Sequence, residues 1–148
     1  MNKIIDTLVY NETMILYVSA TQGEAAQVPS DYPLIVTGIG IIRATLALTE
    51  YLARADELPE RIINFGTAGS LDGKTGIFEI DHVFQHDFDH KVIEQIIGKP
   101  FPNGIDLPTV STLPTVHLAT GDSFVNDPDT RARLAQQAQL CDMEGYAI

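Results

Sequence analysis

One stretch limits the folds open to this chain more than any other: Arg61-Ile62-Ile63-Asn64-Phe65-Gly66-Thr67-Ala68-Gly69-Ser70. A short apolar run leads straight into a turn of glycine, threonine and alanine. Small residues let a ligand approach the backbone closely and leave backbone N–H groups free to bind it. The stretch reads as a buried strand that ends on the floor of a small-molecule site.

The same pattern recurs along the chain. Met14–Ala20 is a continuous apolar run of strand length, as suits a strand buried on both faces of a parallel sheet. Thr21–Ala26 follows as a small-residue turn with one acid. Leu34–Thr37 is a second strand, ended by Gly38-Ile39-Gly40. Ile41–Leu52 reads as a helix, with Ala44, Leu48 and Leu52 at four-residue spacing on one face. Ile62–Phe65 is the third strand. Ile77–Phe84 alternates in places and favours a strand. Pro100–Gly104 is loop. Thr115–Thr120 is a strand stopped by Gly121. Asp127 caps a helix that has Pro128 at its first position and runs to about Gln139. Leu140–Met143 is one more short strand.

Strands alternating with helices predict an α/β fold with a largely parallel central sheet. Three strands end in glycine turns: Val36-Thr37-Gly38, Phe65-Gly66-Thr67 and Ala119-Thr120-Gly121. In a parallel sheet all three turns share one edge, the edge at which open α/β sheets bind ligands.

A chain of 148 residues fits one domain, spanning 1–148. The 20 acidic residues against 9 basic ones give a net charge of −11. That charge repels phosphate backbones and anionic lipid, so neither nucleic acid nor a membrane surface is an expected partner. The single cysteine, Cys141, suits a reducing compartment. No apolar run approaches the roughly 20 residues of a membrane span. Asp6, Asn11 and Glu12 interrupt any signal-like segment after Lys3, which makes the cytoplasm the expected location. Met1–Tyr10 reads as a peripheral start. Gly145–Ile148 looks like the start of a helix, so a C-terminal portion is expected beyond it.

Taken singly, the polar candidates have plain structural readings. Glu24 reads as a solvated loop acid, Asp142 and Glu144 as the wet edge of a strand, and Phe124 as core. His82, His86 and His90 would share one face of a strand, but residues four apart on a strand lie about 13 Å from each other. That is too far for one ion, so no metal site is expected.

Taken in order, the motifs resemble the purine nucleoside phosphorylase and nucleosidase superfamily. They are Ala20-Thr21-Gln22-Gly23-Glu24-Ala25, Thr37-Gly38-Ile39-Gly40, Asn64–Gly69, His86-Asp87-Phe88-Asp89, Thr120–Val125 and Asp142-Met143-Glu144-Gly145-Tyr146-Ala147. The branch they resemble most is that of 5′-methylthioadenosine/S-adenosylhomocysteine nucleosidases. The resemblance implies a three-layer αβα fold around a mixed, largely parallel sheet. It also implies cleavage of the N-glycosidic bond of a purine nucleoside, without a cofactor, by a homodimer or higher homo-oligomer.

Residue by residue, Glu24 matches the acid that positions and activates the attacking water. Thr67 matches a residue that helps to hold the nucleophile. Gly66, Ala68 and Gly69 would keep the pocket floor low. Glu144 would accept the ribose hydroxyls, with Met143 packed against the sugar. Phe124 would stack on the purine, the Val125 backbone would read its edge, and Ile39 would line the wall near the 5′ substituent. The phosphate-gripping glycine and arginine loop of phosphorylases is replaced here by Thr21-Gln22-Gly23-Glu24, which favours hydrolysis. A phosphorylase, or a nucleoside-binding module without turnover, is the alternative. Arg43 departs from the nucleosidase pattern and reads as a surface or partner contact in preference to a phosphate ligand. The family's general-acid aspartate, and an arginine just before it, have no counterpart in these residues. Loss of such an acid typically costs about 10²–10⁴-fold in rate.

Overall fold

The computed structural model describes residues 14–26 and 28–148. The expectations for Met1–Tyr10, and for the acids and Asn11 that follow Lys3, lie outside the described residues.

The first apolar run forms β1 (Ile15–Ser19), which pairs in parallel with β2 (Leu34–Val36) and β3 (Arg61–Asn64). β1 is central, with Leu16 and Val18 fully buried. The predicted helix is α2 (Ile41–Arg54), two residues longer than its apolar spacing indicated. Its Ala44 and Leu48 are buried as that spacing requires, and Leu48 joins Leu16 and Val18 in one core. Truncating a leucine so deeply placed as Leu16 costs about 2–5 kcal/mol.

The remaining strands form a second sheet in the order β4 (Gly69–Ser70), β8 (Leu140–Asp142), β7 (Thr115–Thr120), β5 (Glu79–Gln85), β6 (Ile105–Asp106). The inner three are parallel, and the two short edge strands run antiparallel to them. Apolar clusters cover both faces. Phe84, Ala119 and Leu134 lie together in one, and Val83, Val116, Leu118 and Leu140 in the other. The architecture is thus α/β with mixed, largely parallel pairing. Among the described residues the strands divide into two sheets rather than one, because the chain leaves β3 through the glycine turn and its next strand, β4, pairs with β8.

Two helices were not read from the sequence. Thr21–Ala26 is not simply a turn: it holds α1 (Gln22–Ala25), closed by a capping box in which Thr21 and Glu24 bond each other's backbone N–H. α3 (His90–Ile97) starts at Asp89, whose side chain accepts the Val92 N–H, and stops at Gly98 in the left-handed region. The three histidines therefore do not share a strand face. His82 lies in β5, His86 just past its end, and His90 is the first residue of α3. Among the described residues no three His, Cys, Asp or Glu side chains are grouped to hold a metal ion.

Near the end of the chain, α4 (Pro128–Leu134) begins at Asp127 as predicted but ends before Gln139. Gly145–Ala147 is a single 3-10 turn. Among the described residues no helix is long and apolar enough to cross a membrane.

Candidate active site

The carboxyl ends of the parallel strands in the two sheets meet. Glu144 Oε1 accepts the Gly40 N–H at 2.7 Å, and Asp122 Oδ1 accepts the Ile41 N–H at 2.9 Å. The first turn of α2 has no side-chain cap of its own, so these two carboxylates from the far half of the chain satisfy its free N–H groups. Gly40 has φ 104, a conformation L side chains rarely adopt, and this directs both N–H groups at the acids.

Between the two edges lies a cavity of about 410 Å³, a volume in the usual range for small-ligand sites. Glu24, Ile39, Thr67, Ala68, Gly69, Phe124, Val125, Met143 and Glu144 all line it. Gly66 does not line the cavity but sits behind it. A Cβ there would stand 3.0 Å from Glu24 Oε1, so the glycine makes room for the acid rather than for a ligand.

Glu24 is not a solvated loop acid. Its Oε1 accepts both the backbone N–H of Thr67 at 2.8 Å and the Thr67 hydroxyl at 2.7 Å. Its Oε2 accepts the Thr21 N–H at 3.0 Å and the Thr21 hydroxyl at 2.9 Å. Burial pushes the carboxyl up, but the hydrogen bonds from Thr67 and Thr21 together outweigh it and hold it below its ordinary value. Glu24 stays ionised and fixed in direction.

Glu144 is the opposite case, and it is no wet strand edge, being 9% exposed. Burial raises its carboxyl above the ordinary value against the Gly40 hydrogen bond, and the charges of Asp142 and Glu24 add to the rise. Asp142 also lines the cavity and is raised by burial, despite bonds from Thr120 and Gly145. Burial likewise pushes the Cys141 thiol up, with the Asp142 charge adding to it. Phe124 is 76% exposed at the rim of the cavity, which contradicts its reading as core. Ile39, also on the cavity wall, is 57% exposed. Arg43 is exposed and lays its stem over Gly38. The charged lining of the cavity is wholly acidic: Glu24, Asp142 and Glu144.

Sequence reasoning gave no site role to Thr21, Ser123 or Cys141, and weighed Asp142 only as a strand-edge acid, although all four line the cavity. A signal for Thr21 was present, since Thr21-x-x-Glu24 has the spacing of a capping box.

No protein-family model matches the chain. Among curated proteins it is 26% identical to the 5′-methylthioadenosine/S-adenosylhomocysteine nucleosidase of Staphylococcus epidermidis, over 93% of this chain and 68% of that protein. It is 31% identical to the Psychromonas ingrahamii protein of the same name, over 78% of this chain and 58% of that one. The chain thus matches between about half and two-thirds of the length of such relatives. In fold it is similar to a Helicobacter pylori methylthioadenosine nucleosidase mutant with 5′-methylthioadenosine in its active site. The TM-score is 0.72 at 19% identity, covering 91% of this chain and 77% of that one. A futalosine hydrolase mutant from the same organism has a TM-score of 0.67 at 18% identity, covering 90% and 80%.

In fold and in sequence the chain is similar to proteins of the purine nucleoside phosphorylase and nucleosidase superfamily. Within it, the named relatives are 5′-methylthioadenosine/S-adenosylhomocysteine nucleosidases.

Proposed function

We propose that this chain carries the water-activating and ribose-binding half of a purine nucleosidase of the methylthioadenosine/adenosylhomocysteine type. The reaction is hydrolysis of the N-glycosidic bond with release of the base. The observation that carries the proposal is Glu24, an ionised carboxylate aimed by two Thr67 hydrogen bonds into a nucleoside-sized cavity that also holds Glu144.

Glycosyl transfer of this kind passes through an oxocarbenium-like state, which needs an aimed nucleophile and a held sugar. Glu24 orients the water and faces the growing positive charge with a negative one. Its lowered pKa makes it a positioning and electrostatic group more than a strong base. The Thr67 hydroxyl completes the water's cradle. Glu144, with Oε1 on Gly40, has Oε2 for the ribose diol, and Met143 packs beside the sugar. Phe124 stacks on the purine, the Val125 backbone reads its edge, and Ile39 borders the 5′ group. Ala68 and Gly69 keep the floor low. No residue of this chain is assigned the proton donated to the leaving base. Hydrolysis is preferred to phosphorolysis because the acidic lining repels phosphate.

The same proposal makes the protein a cytoplasmic homo-oligomer. Ile39, Ile42 and Leu46 are 57%, 69% and 65% exposed at the start of α2, beside the cavity, where a second subunit would cover them.

The test is incubation with 5′-methylthioadenosine while free adenine is followed by chromatography. Adenine released without phosphate supports the proposal, and release only with phosphate moves the protein to the phosphorylases. Binding without any release leaves a nucleoside-binding module, and neither binding nor release ends the proposal.

A further inference from the structure

The turn that carries Glu144 is held down by a residue without a role so far. Asp142 ends β8. Its Oδ1 accepts the Thr120 hydroxyl at 2.6 Å, and its Oδ2 accepts the Gly145 N–H at 2.7 Å. Its carbonyl accepts the Gly121 N–H at 3.2 Å. The Thr120 oxygen in turn accepts the Tyr146 N–H at 3.1 Å. Three of these bonds fasten residues 142–146 to the end of β7, and the fourth, from the Gly145 N–H, closes the segment on itself, with Glu144 in its middle.

Asp142 lies on the cavity wall, yet both of its oxygens are engaged within the protein. A carboxylate so engaged is poorly suited to take a ligand hydroxyl. Glu144 is differently placed: its carboxylate accepts the Gly40 N–H through Oε1, and no side-chain hydrogen bond engages Oε2 among the described residues.

We propose that Asp142 is the positioning residue for Glu144, fixing its turn on β7 and setting a second negative charge beside it. The proposal rests on Glu144 as the ribose ligand. The groups that bear on the pair come from every side. His86, past the end of β5, partly offsets the Asp142 charge, and Thr120 on β7 bonds it. Glu24 on α1 adds to the negative field at Glu144, while the Gly40 N–H at the start of α2 opposes it. Cys141 is a neighbour whose thiol is raised by burial and by the Asp142 charge.

Two substitutions separate the brace from the charge. Asp142→Asn keeps a bridge at both ends but reverses one of them: the amide oxygen accepts the Gly145 N–H, and the NH₂ donates to the Thr120 oxygen, which had donated to Asp142. It removes the charge while leaving the turn bridged, so the Glu144 carboxyl titrates at lower pH than in the wild type. This is read by ¹³C NMR of labelled glutamate carboxyls, assigned with Glu144→Gln. Asp142→Ala removes both and weakens calorimetric binding of methylthioadenosine about tenfold or more. An unchanged Glu144 midpoint in Asp142→Asn, or wild-type affinity in Asp142→Ala, overturns the proposal. If Asp142→Ala fails to fold, the midpoint in Asp142→Asn decides. If the wild type binds no methylthioadenosine, the ribose reading falls, and the midpoint comparison still decides the role of Asp142.

Discussion

Glu24 and Glu144 are the same chemical group on facing walls of one cavity, and the protein treats them in opposite ways. Glu24 receives hydrogen bonds from Thr67 on one oxygen and from Thr21 and Ser19 on the other, and is held below the ordinary carboxylate value against its burial. Glu144 receives one N–H, is more deeply buried, and faces two other carboxylates, so it is held above that value. On the proposed function, the difference keeps one acid charged to face an oxocarbenium-like state and leaves the other to take hydrogen bonds from a neutral diol.

The comparison breaks most sharply at Glu24. Glu24→Gln removes the charge proposed to face the sugar, and its NH₂ meets the Thr67 or Thr21 donors. Adenine release is expected to fall about 100-fold or more, while methylthioadenosine affinity, measured by calorimetry, changes little. A variant that keeps full turnover would remove Glu24 from the mechanism.

The next largest effect is expected at Phe124, which belongs to neither carboxylate. Stacking on a base is worth about 1–3 kcal/mol, so Phe124→Ala should weaken affinity by about five- to 150-fold. Because the ring is 76% exposed, the melting temperature should stay within a degree or two of the wild type. A large drop in stability would make Phe124 a packing residue after all.

Thr67→Ala sharpens the comparison more gently. It removes the hydroxyl donor and leaves the Thr67 N–H, so the Glu24 carboxyl should titrate higher, and turnover should fall about tenfold. Unchanged turnover would limit Thr67 to a backbone role.

The smallest effect is the pH profile. Glu144 is raised, so its carboxylate is present above its folded pKa, and diol binding should fade as the pH drops through that value. Glu24 is lowered and should protonate only at lower pH, so affinity is lost before the water-orienting charge. For stability the signs are opposite. The contribution of Glu24 is present above its unfolded pKa and is lost as the pH falls through its folded value. Ionising Glu144 costs stability as the pH rises through the window from its unfolded to its folded value. A binding profile flat through the acid range would contradict the assignment of Glu144.

Much of the fold was legible locally. The runs at Ile15–Ser19, Leu34–Val36 and Thr115–Thr120, and the start of α2, follow from apolar length, spacing and glycine stops. The helix from His90 to Ile97 was less legible because it is short and follows β5 after four residues, although Asp89 and Gly98 are ordinary cap residues. Glu24 as a site acid was legible only through motif order, since its immediate neighbours look like a loop. Asp142 was legible only as a strand-edge acid, because Thr120, the partner that makes it a brace, lies 22 residues away.

By itself the sequence determined the alternation of strands and helices and the small-residue turns, because period, side-chain volume and backbone sterics act over a few residues. Tertiary structure decided the division into two sheets and the contrasting acidities of Glu24 and Glu144. The donors that decide those acidities come from 43 residues away at Thr67 and 104 residues away at Gly40, and burial exists only once both sheets are in place.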